Sequence, residues 1–443
     1  MRQLRHPGRL IPLLFGGAIA IGTFLLSLPV ATADGSFAGL VTALFTATSA
    51  VAVTGLVVVD TGSFWSPFGQ VVIMLLFQIG GFGIMTAATL LGLMVGRGFG
   101  LKDRMATQVE RDRLALGDAR QVLWLVLRVT AIAEFALAAC LFWRFSGVHG
   151  FAPGEAAWHA MFHAISAFNN AGFSTFADSV IGFNSDAFVL VPIALAVIVS
   201  ALGFPVMQDL RFNGLNFRRW TLHSKITVSG TLALLAVGFF ATLAKEWANP
   251  DTFGPMAPGT KVLNAFFHSV MPRTAGFNSI DMGKLENETI MLNYVLMFIG
   301  GGSAGTAGGI KVTTFVVLLA IVWSEIRRQR DAVLFGRRTG HAVERQALSI
   351  AVMASALIML VSMFILALTD LPIRDVLFET ISAFATVGLS TGITAQLPAP
   401  ALVALCLLMF VGRVGTITVA TALALGGTQR KPYRYPEETP IVG

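Results

Sequence analysis

Four times in this chain a phenylalanine is followed ten residues later by a glycine, each time in the same kind of frame. The copies run from Phe45 to Gly55 (FTATSAVAVTGL), Phe162 to Gly172 (FHAISAFNNAGF), Phe266 to Gly276 (FFHSVMPRTAGF) and Phe378 to Gly388 (FETISAFATVGL). The glycines are 117, 104 and 112 residues apart, and every frame lies between two long apolar stretches. Few soluble folds repeat at that period with so apolar a sequence. Four copies of helix, half-helix, glycine turn and helix can be set around one axis, and the product of that arrangement is a pore.

The composition agrees. Of 443 residues, 55% are hydrophobic and 12% charged, about half the charged share of an ordinary soluble domain. A bilayer crossing takes about 20 apolar residues, so the chain has length for roughly eight. The expected spans are 10–30, 68–96, 121–145, 186–210, 223–244, 291–324, 347–369 and 398–427. Between the members of each pair lies a shorter apolar segment: 38–53, 155–170, 260–273 and 373–386. These are too short to span and suit re-entrant half-helices, which a membrane tolerates where protein or a water-filled cavity covers their ends. Ala31-Thr32-Ala33 resembles a signal-peptidase site, but the run before it is longer than a signal core of about 7–15 residues, so it reads as a retained first span.

The net charge of +7 is divided among separate loops and reads as topology rather than as nucleic-acid binding. Segments 1–9, 97–120, 211–225, 325–345 and 428–443 hold 22 of the 31 lysines and arginines. Basic loops stay on the cytoplasmic side. Both termini are therefore expected in the cytoplasm, with the half-helices entering from outside. The two cysteines, Cys140 and Cys406, sit in apolar runs and form neither a disulfide framework nor a metal-ligand spacing.

The frames end in Val53-Thr54-Gly55, Asn170-Ala171-Gly172, Thr274-Ala275-Gly276 and Thr386-Val387-Gly388. Only the glycine is common to all four. Backbone carbonyls that replace an ion's water need unusual φ/ψ values, which glycine permits. Half-helices ending just before the glycines would add partial negative charge at the pore centre. These twelve residues are the expected ligands of a cation, through their carbonyls.

The third repeat differs in its second helix, where residues 300–309 read GGGSAGTAGG before Ile310 and Lys311. Each glycine costs about 1 kcal/mol relative to alanine in a helix, so span 291–324 should break there, below the glycine turn. The segment (Gly301, Gly302, Ser303, Ala304, Gly305, Thr306, Gly308, Gly309) reads as a flexible gate, the alternative being close helix packing through small residues. Arg413, in FVGRVGTITV, reaches comparable depth in the fourth repeat. A charge at that depth points to function with a partner or to a structural arginine on helix-end carbonyls. Lys311 either snorkels to the cytoplasmic face or lines the gate. Arg128 and Glu134 share one span, six residues apart, and are expected to pair with other helices. Arg273 is expected behind the glycine turn or toward the outer mouth.

The segments TSAVAVTGLVVVDTGSFWS, SAFNNAGFS, MPRTAGFN and ATVGLSTG resemble the four pore loops of the Trk/Ktr/HKT superfamily of potassium transporters. More narrowly, the chain from about residue 10 resembles the ion-translocating membrane subunit of bacterial Ktr systems. Eight spans fit that group better than Trk, whose members carry extra N-terminal spans. The resemblance implies an all-α membrane protein of eight transmembrane helices, arranged as four parallel M1-P-M2 repeats with re-entrant pore loops around a central pore. The repeats would occupy 1–112, 113–218, 219–338 and 339–443. It also implies a homodimer in the bacterial inner membrane, a cytosolic ring of nucleotide-binding regulatory subunits and, for many members, sodium dependence. Residues 300–309 would be the intramembrane gating loop, with Arg413 on its cytoplasmic side.

Two other classes fit less well. GGSAG at 301–305 matches G-x-S-x-G, but a serine nucleophile needs a base, and the seven histidines fall at span ends or outside spans. An intramembrane protease, or any enzyme, is therefore disfavoured. A sodium-permeable or ion-coupled carrier would be expected to show inverted repeats and midplane acids. These repeats run parallel, and Glu134 is the one acidic candidate.

Overall fold

Prolines mark where the short helices begin. A proline fits the first helical turn because its missing N–H has no partner there anyway. Pro153 and Pro258 open two of the short helices, and Pro372 caps a third. The computed structural model describes residues 7–96, 119–329 and 331–415. Most of the basic linker 97–120, the tail 428–443 and the end of span 398–427 lie outside the described residues.

In chain order the main helices are α1 (Pro7–Leu26), α2 (Leu40–Val51), α3 (Pro67–Gly96), α4 (Ala119–Gly147), α5 (Pro153–Phe168), α6 (Ala187–Leu202), α7 (Phe204–Asn213) and α8 (Leu222–Glu246). Then follow α9 (Pro258–Val270), α10 (Asn287–Phe298), α11 (Val312–Ile326), α12 (His341–Leu368), α13 (Ile373–Ala385) and α14 (Ala399–Phe410). A two-stranded hairpin, Val333–Leu334 with Arg337–Arg338, separates α11 from α12. The short helices α2, α5, α9 and α13 each pack on the long helix before them. They bury a phenylalanine apiece, Phe45, Phe162, Phe267 and Phe378, all at 0% exposure.

In the third frame the buried ring is thus Phe267, not Phe266. The backbone explains the shift. Thr54, Ala171 and Val387 donate their N–H groups to Ser49, Ser166 and Ser382, five residues back, but Ala275 donates to Met271, four back. The third turn is one residue tighter, and Pro272, with no N–H to offer, sits within it.

Among the described residues, four helices are long and apolar enough to cross a membrane: Pro67–Thr86, Trp124–Gly147, Leu222–Glu246 and His341–Leu368. A fifth is the bent pair α6 and α7. The expected span 186–210 is therefore not straight. It turns by 93° at Gly203, whose φ of +86° and ψ of 159° are open essentially to glycine alone. The sequence Gly203-Phe204-Pro205 carries the signal for that break, since a proline at the start of a helix marks a new N-terminus. The expected span 291–324 is split into α10 and α11 by residues 300–309.

The loops at the two ends of the bundle are tied separately. Phe217 and Phe335 meet with ring centroids 5.9 Å apart, which joins the basic segments 211–225 and 325–345 on one side. At the other end Lys245 pairs with Glu288, and Arg374 bonds Asn287. Arg128 is exposed near the start of α4, where its long stem can reach an interface. Among the described residues the buried pairing expected of it is not present. Glu134, on a different face of the same helix, turns inward to Gln78 and Asn169.

Gly203→Ala is expected to lower the thermal midpoint of the purified protein. An added Cβ would stand 3.0 Å from the Gly305 nitrogen and 3.1 Å from the Ala304 carbonyl carbon. Strain and contact together should cost at least ~1–3 kcal/mol. An unchanged melting curve would mean that the bend does not depend on this glycine.

Candidate functional site

The four frame glycines form a closed ring. A Cβ built on Gly55 would lie 3.0 Å from the Gly172 Cα, one on Gly172 3.0 Å from the Gly276 Cα, and one on Gly276 3.1 Å from the Gly388 Cα. The circle closes because a Cβ on Gly388 would lie 3.1 Å from the Gly55 Cα. The nearest atom to each such Cβ is a neighbour's carbonyl oxygen: Ala171 for Gly55, Ala275 for Gly172, Val387 for Gly276 and Thr54 for Gly388. Four carbonyls, each from the residue before a glycine, are thus packed against the ring of Cα atoms. No side chain larger than hydrogen fits at any of the four positions without displacing backbone.

The chain enters the ring in one repeated conformation. Val53, Asn170, Thr274 and Thr386 all have positive φ (56°, 58°, 74° and 50°), and the glycines two residues on have φ of 90°, 69°, 73° and 92°. A positive φ is uncommon for non-glycine residues, and for β-branched valine and threonine it is an outlier. Such strain costs of order 1–3 kcal/mol and persists where the surroundings impose it. Here the surroundings are visible. Ser49 Oγ and Ser382 Oγ accept from the Gly55 and Gly388 N–H groups at 3.1 Å, and Ser166 Oγ donates to the Phe173 carbonyl at 2.8 Å. Asn170 Oδ1 accepts from Ser200 Oγ at 2.7 Å, and its Nδ2 reaches Thr274 Oγ1 at 3.4 Å.

The glycine-rich segment forms an irregular loop beside this ring. Its base is paired: Gly300 N–H donates to the Ile310 carbonyl at 2.9 Å, and Val312 N–H to the Gly301 carbonyl at 3.0 Å. Its body follows the α6–α7 bend. Gly302 N–H donates to Ala201 at 2.8 Å, Thr306 N–H to Ser200 at 3.3 Å, and Phe204 N–H donates to Ala304 at 3.2 Å. Gly308 lies so near the fourth frame that the Ala385 carbonyl would stand 2.6 Å from an added Cβ. Small residues are required here because backbone meets backbone.

Two cations hold the loop. Arg413, 2% exposed and in a π-helical turn Val411–Gly415, donates Nη1 to the Thr306 carbonyl at 2.5 Å. Lys311 turns back and donates Nζ to the Ala307 carbonyl at 2.5 Å. Neither forms an ion pair among the described residues. Arg273 lies behind the third frame and donates to the Thr231 and Gly300 carbonyls at 3.3 and 3.2 Å. Ser303 Oγ has the Thr313 hydroxyl at 3.2 Å as its partner and no histidine.

A sequence family described as TrkH, cation transport protein, matches residues 19–430. The chain is 38% identical to Ktr system potassium uptake protein B of Bacillus subtilis, covering 99% of this chain and 97% of that one. It is 40% identical to the protein of the same name from Vibrio alginolyticus, over 98% and 94%.

The chain belongs to the TrkH cation transport family.

It is a transporter and not an enzyme. Two further similarities stand beside these. Potassium/sodium uptake protein NtpJ of Enterococcus hirae is 33% identical over 100% of this chain and 97% of its own length. In fold, the chain is similar to the crystal structure of the potassium transporter TrkH from Vibrio parahaemolyticus, with a TM-score of 0.72 at 19% identity, covering 93% of this chain and 83% of that one.

Sequence reasoning placed the twelve frame residues together; of these, the four glycines and Thr54, Ala171, Ala275 and Val387 meet in the ring, and Asn170 reaches Thr274. It placed Arg413 and the loop at one depth, and they touch. It passed over the serines Ser49, Ser166 and Ser382 that fix the turn, although the shared Ser-Ala of three frames was the signal for them. It also passed over Ser200, which stands between Asn170 and the loop and has no sequence signature.

Proposed function

We propose that this chain moves potassium inward across the bacterial plasma membrane through a pore whose selectivity filter is the four-glycine ring. The observation that carries the reading is the closed ring itself, with a carbonyl from each frame packed against the next glycine. In this reading the chain is four parallel M1-P-M2 repeats, 1–112, 113–218, 219–338 and 339–443. The carbonyls of Val53, Thr54, Gly55 and their counterparts replace the water of a bare potassium ion. The C-terminal ends of α2, α5, α9 and α13 favour a cation at that point. Both relatives named as Ktr potassium uptake protein B are similar over nearly the whole chain, which supports potassium as the ion.

Below the ring, residues 301–309 close the path. The loop fills the space, while Arg413 and Lys311 clamp two of its carbonyls and set two positive charges against an approaching cation. Opening requires the loop to leave these partners. The base pairs at Gly300 and Gly301 can act as its hinge.

The regulator is a cytosolic ring of nucleotide-binding subunits, and the membrane unit is a homodimer with both termini cytoplasmic. The basic segments joined through Phe217 and Phe335 offer the docking side. Purified chain is expected to run as a dimer in mild detergent by light scattering. A monomer at every concentration, with regulated uptake in cells devoid of such a partner, would contradict this.

A second reading, sodium passage or sodium coupling, is favoured by the likeness to a potassium/sodium uptake protein. Flux into proteoliposomes holding this chain, with potassium and sodium gradients varied independently, separates the two. Potassium uptake that follows its own gradient at zero sodium supports the pore. Uptake that stops without a sodium gradient supports coupling.

A further inference from the structure

Each half-helix carries a polar side chain directly after its buried phenylalanine: Thr46, His163, His268 and Glu379. All four are 2% exposed or less. A carboxyl or imidazole buried among apolar residues is costly unless it is hydrogen-bonded, so the partners are informative. Glu379 Oε1 accepts from Ser390 Oγ at 2.9 Å and also from the Thr394 hydroxyl. His163 Nδ1 lies 2.7 Å from the His159 carbonyl and must carry a proton there. In the neutral ring Nε2 then accepts from Ser174 Oγ at 2.9 Å, the shorter of the two contacts open to that hydroxyl, the other being the Ser179 carbonyl at 3.1 Å.

Ser174 and Ser390 occupy the same place, two residues beyond Gly172 and Gly388. Each serine oxygen also accepts from the N–H two residues further on, Phe176 at 3.0 Å and Gly392 at 2.9 Å. One three-part arrangement is therefore built twice, from a histidine in one repeat and a glutamate in the other. The remaining repeats lack it. Val57 stands two beyond Gly55, and Asn278 turns its Nδ2 to the Ile280 carbonyl while His268 bonds Asn293. Gly172 and Gly388 are not neighbours in the ring, so the two tied segments face each other across it.

We propose that His163–Ser174 and Glu379–Ser390 are matched latches, and that these positioning residues set how strictly the ring separates potassium from sodium. The proposal rests on reading the glycine ring as the filter. Carbonyls that coordinate a larger ion well discriminate only if they cannot close around a smaller one. Two opposed segments pinned to their half-helices fix the span between them. The segment after Gly276 is tied to the one after Gly172 instead, through Asn278 with Ser179 and Val180.

The test uses the full chain in proteoliposomes, with Ser174→Ala, Ser390→Ala and Ser390→Thr beside Gly55→Ser as the reference for the filter itself. The potassium-to-sodium permeability ratio, the maximal potassium flux and the thermal midpoint are read for each. Either alanine variant is expected to lower the ratio about fivefold, the scale of one lost hydrogen bond, with potassium flux retained. Ser390→Thr keeps the hydroxyl and is expected to keep the ratio. A lowered midpoint with an unchanged ratio in both alanine variants, while Gly55→Ser loses selectivity, would make the latches purely structural and overturn the proposal. An unchanged ratio in Gly55→Ser as well would overturn the filter reading beneath it.

Discussion

Deleting Ala304 to Ala307 is expected to raise potassium flux about tenfold, equivalent to removing ~1.4 kcal/mol from a barrier, and to make flux less dependent on a cytosolic partner. The deletion removes the carbonyls that Arg413 and Lys311 hold, at Thr306 and Ala307. It also removes the two backbone bonds to Ser200 and Phe204. It leaves the paired base at Gly300 and Ile310. The shortened loop therefore keeps its roots and loses its closure. Arg413→Ala should act in the same direction and by less, because the loop still fills the space when one clamp is gone. The measurement is rubidium uptake into proteoliposomes, with and without the partner. If both proteins fold and flux stays low and fully dependent on the partner, the glycine run is a packing element and the gate lies elsewhere.

Gly55→Ser is expected to lower the potassium-to-sodium permeability ratio by about tenfold, a shift of ~1.4 kcal/mol in relative barrier, while the protein still assembles. The residue has a φ of +90°, and its Cβ would be directed at the Ala171 carbonyl and the Gly172 Cα. The serine must push that carbonyl aside, which spoils one of the four carbonyls packed on the ring and leaves a hydroxyl in its place. Reversal potentials in bi-ionic potassium and sodium solutions read the ratio. A well-folded variant with an unchanged ratio would remove Gly55 from the ion path.

Much of this architecture was legible because its signals are local or periodic. The short helices α2, α5, α9 and α13 are marked by their length and apolar rows, and three of them by a proline at the start. The ring is shown by four glycines in equivalent frames, since backbone crowding leaves no other residue type. The loop is shown by a glycine density that no helix sustains. What was not legible depends on contacts between distant segments. The 93° turn at Gly203 has the loop packed into it, a contact between distant segments, although Gly203-Phe204-Pro205 hinted at it. The third frame counts from Phe267 because Pro272 tightens a turn, and spacing alone gave Phe266. Arg128 and Glu134 were read together, yet they lie on different faces of α4, so only the glutamate finds inward partners. The partner of Arg413 could not be read from sequence, because it is a backbone carbonyl 107 positions away.

The central claim is that the four glycines surround the transported ion. Anomalous scattering from crystals grown in rubidium or thallium salts tests it most directly. The account predicts peaks on the axis of the ring, coordinated by the carbonyls of Thr54, Ala171, Ala275 and Val387. Those peaks should be lost when the same crystals are exchanged into sodium. Strong ion density elsewhere in the protein, with none inside the ring, would contradict it.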